Sequence, residues 1–208
     1  MSELDSPVGN IKTDTDLNDF FRELVTEVGR GRGFDASEAT ETYLISLLAD
    51  AARPDAPGLE LMGNASMTLL LAEALETKGS ERFDRLRTLG DGVLIVSGFF
   101  GEHLARRGLQ PYYVCGLGAT AYSSAAEMLR MLCRDTGAPD VFGELANKFE
   151  MFVQLVSCVS EQLSLNGVHD DAALLEVYQR WLEAPSEPLT RLLIARGLLP
   201  TRASSTVH

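Results

Sequence analysis

Apolar residues recur at helical spacing from Leu17 to Leu198, and no stretch sustains the alternation expected of a strand. The clearest run is Leu17, Phe20, Phe21, Leu24, Val25 and Val28, which lines one helix face over about three turns. This helix is predicted to start near Asp16 and to end in the cluster Gly29, Gly31, Gly33, where glycine suits a left-handed cap. A second helix is expected after Asp35, with Glu38 completing a capping box and Tyr43, Leu44, Leu47, Leu48 and Ala51 buried. Arg53–Pro54 ends it. Ser66 caps a third helix running to about Thr77.

The fourth segment, Glu81 to Arg107, carries Gly90, Gly92, Gly98 and Gly101. Each glycine costs about 1 kcal/mol inside a helix relative to alanine. Either the helix breaks near Gly90–Gly92, or the small residues admit a close neighbour. Gly90, Leu94, Ser97 and Gly101 share a face, and the fifth segment, from Pro111 to about Asp135, offers Gly118, Ala121, Tyr122 and Ala125. The two are expected to pack as a central antiparallel pair across the turn Gly108–Gln110, so that Gly101→Leu overpacks the interface. A sixth helix opens at Pro139 and closes at Asn166–Gly167. A seventh starts at His169 or Asp170 and ends at Ala184–Pro185, and Ser186 caps an eighth closed by Gly197. The fold class is therefore all-α: a single-domain bundle of about eight helices, with a helical domain over 15–198 between a flexible acidic tail at 1–14 and a flexible tail at 199–208.

Charge narrows the function classes. The 208 residues carry a formal net charge of −12, which repels phosphate backbones, so no nucleic-acid partner is expected. The longest apolar run, Val93 to Phe100, is interrupted by Ser97 and Gly98 and is too short to span a bilayer. The first residues lack the apolar core of a signal peptide. Three widely spaced cysteines, Cys115, Cys133 and Cys158, do not form a disulfide framework. A cytoplasmic setting follows.

Reactive constellations are missing from the pattern. His103, His169 and His208 stand at no ligand spacing, and His169–Asp170–Asp171 reads as a helix start rather than a metal triplet. No Gly-x-Ser-x-Gly elbow occurs, and GLGATAY at 116–122 lacks the strand and third glycine of a dinucleotide loop. No catalytic residue, cofactor or metal is therefore assigned. One polar cluster stands out at the turn between segments four and five: Glu102, His103, Arg106, Arg107, Gln110, Tyr112 and Tyr113. His103, Arg106 and Arg107 share a face, and such a group suits an anion or a partner's carboxylate. Its bland counterpart is a solvated helix end, with cations complementing the helix dipole.

The strings ETYLISLLAD (41–50), LGDGVLIVSGFFGEHLARRG (89–108) and RWLEAPSEPLTRLLIARGLLP (180–200) resemble those of an uncharacterised family of bacterial helical proteins. The resemblance implies a bacterial source and carries no activity or site residues. The leading expectation is a soluble, non-catalytic regulatory or adaptor protein that binds another protein, with self-association also open. The alternative is a helical bundle that holds an apolar or haem-like ligand, with enzymatic use of it, for which His103 is the one axial candidate.

Overall fold

The computed structural model describes residues 14–30, 33–52, 66–132, 139–167 and Tyr178. Among these every regular element is an α-helix. The order is α1 (Asp14–Arg30), α2 (Glu38–Ala51), α3 (Met67–Glu76), α4 (Gly79–Arg106), α5 (Pro111–Leu132), α6 (Val141–Asn147) and α7 (Phe149–Gly167). The chain divides into two compact units, Met1–Ser157 and Cys158–His208. The first holds α1 to α6 and the start of α7. Of the second, the described part is the rest of α7 and Tyr178. Asp14, expected in the first tail, instead opens α1; the rest of both tails, the expected eighth helix and all of the expected seventh but Tyr178 lie outside the described residues.

Local chemistry sets the boundaries. Ser37, rather than Asp35, caps α2: its backbone is extended and its hydroxyl accepts from the Thr40 N–H. The helix expected to run unbroken from Pro139 to Gly167 is two. Asp140 caps α6 through the Gly143 N–H, and Lys148 leaves helical geometry (φ −113°, ψ 25°) before α7 begins. The periodicity hides this break, because Leu145, Phe149, Phe152 and Val156 are all buried on either side of it.

The centre of the first unit is α4 against α5, the most extensive helix contact, with α3 on α4 and α1 on α2. Gly90 lies under the ring of Tyr122, and Gly118 abuts Val93 and the ring of Phe149. Contacts that fall along α4 as they rise along α5 make the pair antiparallel, as the small-residue faces require. A Cβ at Gly90 would stand 2.6 Å from Tyr122 Cδ1, so only glycine admits that ring. Around it, Phe142 meets Tyr43, Phe83 and Tyr122 at centroid distances of 5.3, 5.4 and 5.9 Å.

Two details differ from the pattern. Nothing approaches Gly101 within 4 Å, so it faces open space and Gly101→Leu meets no overpacking there. The close approach is made by Gly98 instead, whose added Cβ would lie 2.5 Å from Val156 Cβ. The reason is a bend: α4 does not break at Gly90–Gly92 but at Phe100 (φ −127°, ψ 22°), and past it the straight-helix phase linking Gly90 to Gly101 no longer holds.

Candidate functional site

The bend at Phe100 delivers the last turn of α4 to the end of the pair. There Gly108 adopts φ +80°, its N–H bonds the Ala105 carbonyl at 2.9 Å, and the Leu109 N–H bonds the Leu104 carbonyl at 3.1 Å. This double closure, which glycine at the left-handed position permits, satisfies the helix end and reverses the chain within a few residues. Pro111 then opens α5 with its φ already set. The turn thus gathers the sequence-predicted cluster at one end of the pair.

All its members are exposed: Glu102, His103, Arg106 and Arg107 on α4 and its cap, Tyr112 and Tyr113 on α5. Glu102 and Arg106 form an ion pair at 3.7 Å, both more than half exposed. Tyr113 shares a hydrogen bond with the Thr68 hydroxyl, which sets its ring beside the start of α3. Tyr112 is 83% exposed. Leu69, next to Thr68, is likewise exposed. Nothing here positions a nucleophile or a proton relay. The surface can offer aromatic area, aliphatic area and cations to something that docks on it.

Two polar networks, one largely buried and one at the surface, were not singled out by the sequence. In the first, the hydroxyls of Tyr43 and Tyr122 both donate to Asp91 Oδ1 at 2.7 Å. Burial pushes the Asp91 carboxyl above its usual range, although both hydroxyls and the Arg87 charge act the other way. Burial and the Asp91 charge raise both phenols, so they stay protonated donors. The signal available was an acid inside an apolar helix, flanked by Gly90 and Gly92, with two inward tyrosines whose hydroxyls require partners.

In the second, Glu144 of α6 clasps the start of α2. Its carboxylate accepts from the Ser37 N–H at 3.1 Å, the Ser37 hydroxyl at 2.6 Å, the Thr40 hydroxyl at 2.7 Å and Lys148 Nζ at 3.0 Å. Lys148 Nζ also donates to the Asp35 carbonyl at 2.7 Å. Burial alone would raise the Glu144 carboxyl, but the hydroxyls, the ammonium and the backbone donor outweigh it and hold it down at about 2. The clasp joins residues more than 100 positions apart, which no local pattern reveals. Both networks are internally satisfied ties between helices.

Among the described residues no group of three histidine, cysteine or acidic side chains is placed to hold a metal ion. His103 is exposed on the last turn of α4, away from the buried face that an axial ligand needs. Cys115 and Cys158 are buried and in no disulfide, and burial followed by the Glu150 charge raises the Cys115 thiol. Cys133, His169 and His208 lie outside the described residues. No described helix is long and apolar enough to cross a membrane. Compared with known protein families, curated proteins and solved structures, the chain matches none.

Proposed function

We propose that this protein is a non-catalytic regulatory or adaptor protein that acts by binding another protein through the end of the α4–α5 pair. The carrying observation is Tyr112, a large aromatic side chain 83% exposed in the first turn of a helix whose core begins at Val114. Burying such a ring stabilises a complex without first ordering a loop. Tyrosine and arginine are also the residues that most often dominate interface energetics, and Arg106 lies just across the turn. The internal polar ties support the same reading, because Asp91 and Glu144 both hold helices together. The exposed position of His103 weighs against the haem-like alternative.

A photo-crosslinking amino acid at position 112 tests this, with Thr120, also exposed and about two turns further along α5, as the control position. In the native host, a discrete protein adduct is expected from 112 and none from 120. Equal labelling at both, or none at either, would remove the docking surface.

A further inference from the structure

We infer that Thr68 is a positioning residue for this docking: its hydroxyl holds the Tyr113 ring against the start of α3 and so fixes the shape that the partner protein meets beside Tyr112. This rests on the docking reading above. Thr26, Thr42, Thr77 and Thr120 each turn back on their own helix and donate to the carbonyl four residues earlier, at 2.7 to 2.8 Å. Thr68 is the second residue of α3, so no helical turn precedes it to accept such a bond. Its hydroxyl crosses to α5 instead and shares a hydrogen bond with the Tyr113 hydroxyl.

The anchor for this bond is firm. Met67, Leu71 and Ala74 of α3 are buried, so Thr68 stands on a helix seated in the core. Tyr113 is 48% exposed, yet its ring is tied at the far end by the hydroxyl. A partner that packs against the ring need not order it first, and each side chain ordered on association weakens binding. Direction matters as well. Consecutive helical residues point about 100° apart, so Tyr113 held toward α3 leaves Tyr112 to a different side of α5. Released, the Tyr113 ring samples other rotamers, and the face beside Tyr112 loses its single shape. Both hydroxyls lie at the surface, so the tie adds little to the stability of the fold itself.

Two measurements on the full-length chain test this. In the first, 3-fluorotyrosine at position 113 reports the ring by fluorine NMR with no partner present. Thr68→Val keeps the side chain's shape and removes the hydroxyl. It is expected to move the resonance toward that of the unfolded chain, and Thr68→Ser to leave it near the parent's. In the second, the crosslinker at position 112 is carried into each variant in the native host. Thr68→Val is expected to lower the yield of the parent's protein adduct about threefold, as loss of one modest hydrogen bond allows, while melting like the parent. Thr68→Ser should restore the yield. Tyr113→Phe should match Thr68→Val, and combining the two should cost no more than either alone, because both remove one bond. A fluorine resonance that ignores Thr68→Val overturns the inference. So does a resonance that moves with the adduct yield unchanged, or losses that add in the double variant. In each of these cases the docking surface stands without Thr68 as its positioner. If position 112 of the parent gives no adduct, the docking reading falls and this inference with it.

Discussion

At the scale of single residues, most of the polar chemistry held inside the described structure is structural. Asp91 shows how. One oxygen serves two tyrosine hydroxyls, and one of those rings is fully buried. Asp91→Asn retains an acceptor and removes a desolvated charge, so its stability at neutral pH is expected within about 1 kcal/mol of the parent. Asp91→Ala leaves both hydroxyls without that acceptor and is expected to cost about 2–4 kcal/mol. Urea denaturation of the two variants reads the difference, and equal midpoints would mean that the hydroxyls find other partners. Cys115 follows the same logic of burial: with its thiol pushed up, it serves as a small apolar side chain, as its surroundings in the sequence suggested.

At the scale of elements, the glycines of α4 divide into two kinds that sequence alone could not separate. Gly98→Ala drives a methyl group into Val156 and is expected to destabilise by about 1–3 kcal/mol. Gly101→Ala meets open space and should be neutral or stabilise by up to about 1 kcal/mol through helix propensity. Thermal melts of the pair check this, and equal losses would place Gly101 back in an interface. The helices themselves, the antiparallel pair and the tight approach at Gly90 and Gly118 were legible because they follow from a repeating period and from small residues on matching faces. The bend at Phe100 and the break at Lys148 were not, since apolar spacing continues through both. The exposed cluster could be named from its residues, because a glycine turn confines them to one place. The Glu144 clasp could not, since it depends on which helices meet.

At the scale of the molecule, acid stability reflects two opposing groups. Glu144 is held at about 2 when folded, against an ordinary 4.5, so its contribution is complete above pH 4.5 and is lost as pH falls toward 2. Solvent at the edge of the clasp screens this to about 1–2 kcal/mol. Asp91 is raised, so its ionisation removes stability as pH climbs from 3.8 to its folded value. The parent should therefore lose stability more steeply than Glu144→Gln between pH 4.5 and 2, with parallel curves above that window. Urea midpoints across pH measure it, and identical acid limbs would show that the clasp does not form in solution. The bend in α4 has a different bearing, on how such a protein can change over generations. Upstream of Phe100, the buried positions answer to the neighbours crowded against them. Downstream, Leu104 still reaches the core, but the exposed positions around it in the final turn answer to what they meet outside. Natural variation can thus rewrite the choice of associate at this tip while the interior keeps its own rules.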